Sequence, residues 1–244
     1  RALPAVEVLA MPRHPGEIIQ LLPRYVGFSP LRTTQEDAQR TALYRADAQR
    51  ATEREQHARR EDYLRSLGLR VEIGRAAEGE LERLAQLTQR TNQFNATTRR
   101  SDVSEMRRLA GAGAELLSVT VHDRFGSYGL TGLAILREQG DGVEIDTFLL
   151  SCRVLGRDVE LALLAECAAV ARRLGRPLIA KYLPTSKNRQ VADFFPTNGF
   201  VSQADGETFV LTTNHRLECP AHITMERRQW KRSTPAFAES CPTS

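Results

Sequence analysis

The segment 146-DTFLLSCRVLGRDVE-160 sets a thiol, Cys152, between an apolar strand-like run and a glycine turn that opens a helix. A thiol in that place is a candidate nucleophile for acyl transfer, splitting one difficult step into two easier ones. A free cysteine is only a few per cent ionised at neutral pH, so reactivity requires nearby cations or a helix N-terminus. Arg153, Arg157 and the start of the following helix are placed to supply both. The structural alternative is a small buried filler, since free cysteine packs like a hydrophobe.

The same turn is a candidate anion site. Backbone N–H groups at a strand-to-helix junction, with the helix dipole behind them, attract negative charge. Arg153, Val154, Leu155, Gly156 and Arg157 form that turn. A second polar stretch, 91-TNQFNATTRR-100, offers Asn92, Gln93, Asn95 and Thr97 as partners for substrate hydroxyls, and Arg99 and Arg100 for a phosphate. Asn and Thr equally favour caps and turns, so the stretch reads both ways. His122 and Asp146 are the general-base candidates; a strand-end surface histidine and a loop-ordering aspartate are their alternatives.

Composition sets the frame for this chemistry. The chain has 244 residues, enough for one generous domain with an appendage, and no apolar run long enough to span a bilayer. Four cysteines without CxxC spacing, and five histidines that match no ligand pattern with them, predict a reducing cytoplasm and no metal. A net charge of +4, interspersed with acids, gives no basic stripe, so neither nucleic acid nor membrane is expected as a partner.

The elements that must position the site follow from periodicity and punctuation. A short strand over 5–12 and a helix over 15–25 cannot build a core alone. Residues 34–68 are rich in Ala, Arg, Glu and Gln, with Thr34 as an N-cap and Gly68 as a C-cap. They predict one or two solvated helices acting as a linker. From residue 70 strands and helices alternate: strand 70–73, helix 78–91, loop 92–100, helix 102–110, strands 116–123, 129–138 and 143–150, helix 158–175. A strand 178–183, a helix 187–200 and a strand 207–213 complete the series. The fold class is α/β with a mixed sheet. Cys167 falls on the apolar stripe of the long helix, and Phe194, Phe195 and Phe200 read as core.

The pattern R-x-x-G-x-[G/A] is that of the pyrophosphate loop of GNAT acetyltransferases. Arg153 and Gly156 fit it, while Asp158 stands where Gly or Ala is wanted, and an aspartate repels phosphate. The region 188-NRQVADFFPTNGF-200 resembles the later coenzyme-binding part of that fold, with Asn188 after a strand and Phe195 where many members carry a tyrosine acid. Five blocks together resemble the C-terminal half of FkbH-like proteins: 36-EDAQRTALYRADAQR-50, 87-LTQRTNQFNATTRR-100, 123-DRFGSYGLTGLAIL-136, 146-DTFLLSCRVLGRDVE-160 and 182-YLPTSKNRQVADFFPTNGF-200. Ser127 is a further departure, since the family tends to have Asp there.

That resemblance implies a GNAT-like, mostly antiparallel sheet flanked by helices over 69–215, a helical linker over 34–68, and a tail over 216–244. It implies that 1–33 is the remnant of an upstream HAD-like phosphatase domain, whose DxDx[TV] signature the chain lacks. It further implies transfer of a glyceryl unit from a 1,3-bisphosphoglycerate-derived acyl phosphate, through Cys152, to the phosphopantetheine thiol of an acyl carrier protein in polyketide or related biosynthesis. Arg153 to Arg157 and Asn188 would then hold the phosphopantetheine arm, or coenzyme A. An acetyl-CoA-dependent N-acetyltransferase and a non-catalytic carrier-docking domain are the alternatives.

Overall fold

The computed structural model describes residues 35–228. The expected strand 5–12, helix 15–25, Thr34 cap and upstream remnant 1–33 lie outside them, as does the tail beyond 228. The chain divides into two compact units, 1–45 and 46–244. Of the first, the described part is the opening of helix α1 (Gln35–Glu55).

In the second unit, the rest of α1 is less solvated than its composition predicts. Ala46, Arg50 and Glu53, three or four positions apart and therefore on one face, are buried. Helix α2 (Arg60–Leu67) follows and ends at Gly68 in the left-handed conformation, φ +58°, its N–H donating to the Arg65 carbonyl. That is the glycine cap the sequence predicts.

Strand β1 (Leu69–Arg75), helix α3 (Leu81–Arg90), the two-residue strand β2 (Phe94–Asn95) and helix α4 (Val103–Gly111) come next. Asp102 caps α4 by accepting from the Glu105 N–H at 2.8 Å. Strands β3 (Glu115–Asp123), β4 (Gly126–Gln139) and β5 (Gly142–Leu150) form an antiparallel meander. Helix α5 (Val159–Arg173) crosses to β6 (Leu178–Lys181), which runs parallel to β5.

The predicted helix 187–200 is not continuous. A 3₁₀ turn at 189–191 is followed by the single-turn helix α6 (Phe194–Thr197). Pro196 has no N–H to extend a longer helix, and the phenylalanines around it pack as a cluster instead. Phe195 is fully buried and meets Phe148, Phe194, Phe200 and Phe209 with ring centroids 5.3–6.3 Å apart. Strands β7 (Val201–Ser202) and β8 (Thr208–Leu211) close that side.

The tail expected from 216 contributes β9 (Ile223–Arg227), which pairs in parallel with β1. Among the described residues the strand order is β7-β8-β6-β5-β4-β3-β1-β9, with β2 beside β5. The result is a mixed, mostly antiparallel sheet with helices on both faces. One core lies under α5, where Cys167 is buried as expected, and a smaller one lies under α3 and α4. Among the described residues no helix is long and apolar enough to cross a membrane.

Candidate active site

Strand β5 positions the site, and one irregularity in it decides the geometry. Ile135 faces Thr147 but Leu136 faces Ile145, so Asp146 is an extra residue, a β-bulge. A bulge bends its strand away from regular pairing. The parallel pairing of β5 with β6 accordingly stops at Ile145 and Ala180, and the two strands part.

The chain fills that gap with its own loop. β2 pairs Phe94 with Leu150 and Asn95 with Leu149. The Ala96 N–H donates to the Phe148 carbonyl at 3.0 Å, and the Leu183 N–H to the Ala96 carbonyl at 2.9 Å. The Thr97 hydroxyl donates to the bulge carbonyl of Asp146 at 2.9 Å. Fully buried Asn188 completes the staple: its amide donates to the carbonyls of Asn95 and Leu183 at 2.9 and 3.0 Å, and its oxygen accepts from Thr185.

Several residues read from sequence as ligand groups therefore hold this loop. Asn95 is buried, donating to the Thr91 carbonyl and accepting from the Thr98 N–H. Asn92 accepts from Arg100, which also donates to the carbonyls of Thr88 and Gln89. Arg99 and Arg137 both bind the Asp146 carboxylate. Gln93 is exposed. Replacing Asn188 with alanine strands two buried carbonyls, at about 1–3 kcal/mol for each unsatisfied group. We expect a loss near 3 kcal/mol in urea unfolding, with hydrogen exchange faster at 94–98 than elsewhere in the sheet.

Cys152 opens a 3₁₀ turn, Cys152–Val154, at the end of β5, and its thiol is exposed. The general-base candidates do not reach it. Asp146 lies four residues before Leu150, about 13 Å away along the strand, and is held by its two arginines. His122 lies two strands over in the sheet order, 3.5 Å from Glu72. Among the described residues no side chain hydrogen-bonds the Cys152 thiol.

Arg153 folds back, donating to the Ser151 hydroxyl and the Leu130 carbonyl. Burial, and after it the charge of Arg83, pulls the Arg153 pKa down, while Cys152 and Asp47 act the other way. Arg153 is thus the cation within electrostatic reach of the thiol.

Beyond it, Gly156 (φ +75°) and Asp158 (φ +61°) turn the chain through left-handed conformations into α5. Arg157 lies with its guanidinium 5.2 Å from the Tyr128 ring centre, while Arg50 sits 3.8 Å from the same ring.

The outline is similar to that of acetyltransferases. The ribosomal-protein-S18-alanine N-acetyltransferase of Escherichia coli aligns at 13% identity over 57% of this chain and 90% of its own, with a TM-score of 0.44. The PaiA N-acetyltransferase of Thermoplasma acidophilum, solved in complex with coenzyme A, aligns at 15% identity over 57% of this chain and 96% of its own, at 0.44. A GNAT-family acetyltransferase of Staphylococcus aureus aligns at 11% over 59% and 99%, at 0.45. No protein-family model and no curated protein sequence matches the chain. The fold rests on the strand order and register given above.

Three side chains at the turn carry no signal in the sequence. Arg60 on α2 donates to Asp158 at 2.6 and 3.2 Å and to the Gly156 carbonyl at 3.1 Å. His222, just before β9, has Nε2 3.5 Å from the Asp158 carboxylate and 3.3 Å from the Arg157 carbonyl. Glu160 turns its carboxyl toward its own backbone N–H. Helix, strand and tail converge here from distant parts of the chain, which no local spacing announces. Among the described residues no cluster of His, Cys, Asp and Glu stands ready to hold a metal ion.

Proposed function

We propose that this chain is an acyltransferase that works on a pantetheine thiol at the junction of β5 and α5, with Cys152 as the relay. The observation that supports it most is the exposed cysteine at the strand end, beside Arg153. The chemistry balances without a cofactor. The Cys152 thiolate adds to the acyl carbonyl, and the C–S bond forms as the leaving group departs with the bonding pair. The acceptor thiolate then attacks the same carbonyl and returns the pair to Cys152.

The finer reading, carried by the FkbH-like resemblance, is a glyceryl unit passing from an acyl phosphate to a carrier-protein thiol in the cytoplasm. Phosphate leaves in the first step and Cys152 in the second. A second reading is direct transfer from acetyl-CoA to an amine, with no covalent enzyme intermediate. The lack, among the described residues, of any side chain bonded to Cys152 favours it.

Intact-protein mass after mixing the chain with glyceryl-loaded carrier protein tests the relay in reverse. A gain of one glyceryl group, mapped to the Cys152 peptide, supports it. No adduct despite measurable carrier binding eliminates the relay and leaves direct transfer.

A further inference from the structure

We propose that the cavity between the second half of α5 and the β1–β3 side of the sheet is a second binding site, taking a small apolar carboxylic acid. It is separate from the acyl-transfer site. Glu115 in its wall pairs with Leu136, and Leu136 with Ile145, which lies on the order of 20 Å along β5 from Cys152.

The cavity encloses about 760 Å³, within the size range of small-molecule sites. Its apolar surface comes from Ile73 on β1, Leu117 on β3 and Val170 on α5, all buried. Leu174, at the end of α5, adds a side chain that is 47% exposed. A ligand with an aliphatic or aromatic body would take that surface out of water.

Three arginines stand around the apolar surface, each held in place. Arg227 donates through Nε to Glu166 at 2.7 Å, and Arg173 lies 3.5 Å from the same carboxylate. Arg228 packs against Gly74, where a Cβ would come within 2.8 Å of its own, and donates to Glu80 and Ser118. Two cations thus share the one buried carboxylate of Glu166, so positive charge is in excess in this wall. The Arg227 side chain is 59% exposed, which presents its terminal N–H groups to an anion.

The second acid of the wall, Glu115, offsets little of that excess. Its Oε2 is buried with no hydrogen-bond partner among the described residues, which penalises the ionised form. Burial accordingly pushes the Glu115 pKa up, against the pull of Arg75 and Arg173. When protonated, Glu115 is a donor toward a ligand oxygen. Pinned arginines, a proton-holding acid and an apolar surface together match an acid head on an apolar body, and the fixed guanidinium groups need little ordering when it arrives.

Methyl NMR of the full chain, titrated at neutral pH with octanoate and with octanamide, gives the test. Octanoate should shift the methyl signals of Ile73, Leu117, Val170 and Leu174 saturably, and octanamide should bind at least about tenfold more weakly. Leu174→Glu puts a like charge on an exposed position and should weaken octanoate by about tenfold or more without unfolding the chain. Equal affinity for the two probes overturns the proposal, and so does the absence of any shift. Shifts confined to Val154 and Leu155, beside Cys152, overturn it too, while leaving the acyl-transfer reading intact. Octanoate binding that appears only after removal of residues 229–244 would make the chain's own tail the occupant, a further way for the proposal to fail. The comparison of the two probes on the wild type needs no variant to fold.

Discussion

Arg50→Ala lowers the unfolding free energy by about 3–5 kcal/mol, the cost of leaving a buried partner charge uncompensated. Arg50 and Asp123 have side-chain exposures of 3% and 0%, and they bond at 2.7 and 2.9 Å. The guanidinium also lies over Tyr128, whose hydroxyl donates to the same carboxylate at 2.7 Å. Asp123 further accepts from the N–H groups of Phe125 and Gly126, so it orders the β3–β4 turn. For a chain of this size the loss amounts to roughly 6–20 °C in melting temperature.

The pH dependence carries a sign that a packing defect would not reproduce. Burial alone would raise the Asp123 pKa, but the bonds from Arg50 and Tyr128 hold it below the ordinary carboxylate value. A depressed folded-state value stabilises the fold above about pH 4 and loses that stabilisation as pH falls through it. Without Arg50, burial dominates and the folded-state value rises above the unfolded one. The contribution of this group then grows toward acid instead of shrinking. Urea midpoints from pH 3 to 6 should show the two opposite slopes. Parallel slopes in wild type and variant would mean that the pair is not what holds α1 to the sheet.

Cys152→Ser abolishes the acyl-enzyme adduct and lowers acyl transfer by on the order of 10³-fold, since serine at neutral pH is a far weaker nucleophile without an adjacent base. The residue is exposed, so stability should stay within about 0.5 kcal/mol. Folding and catalysis therefore separate cleanly at this position. Arg153→Gln should leave the adduct intact but slow its formation on the order of tenfold. Unchanged turnover in Cys152→Ser, measured by release of the carrier thiol, would falsify the relay and favour direct attack on the thioester.

Much of this architecture was legible from side-chain pattern alone. The apolar runs of 116–123 and 143–150 and the Gly68 stop each determine a local conformation, and the structure follows them. Three short strands escaped notice for a physical reason. β2 and β7 have two residues each, and β9 carries the half-polar pattern of an exposed edge, so none shows a period. The helix predicted at 187–200 broke because Asn188 is held by tertiary bonds and Pro196 interrupts the ladder.

The candidate site was legible as a place and less so as a set of roles. Cys152 does stand exposed at the strand end, and Arg153 does lie near it. The polar atoms of Asn95, Thr97 and Asn188 read equally well as ligands for a substrate or for the chain itself. Only the three-dimensional arrangement shows them bonded to the split between β5 and β6. Arg60 and His222 lie 98 and 64 positions from Asp158, and meet it only through packing.

The pairing of β9 with β1 bears on the order in which the chain assembles. The meander β3–β4–β5 joins neighbours in sequence and can form early, whereas Leu69 must wait for Ile223. Closing so long a loop contributes its entropy cost before any contact rewards it. Until then β1 shows a bare edge to other chains during synthesis. Because His222 immediately precedes β9, the contact it makes with Asp158 arrives with this last strand. The turn at the head of α5 is therefore finished only when the chain has closed on itself, so an incompletely synthesised protein would carry the thiol but not the completed turn around it.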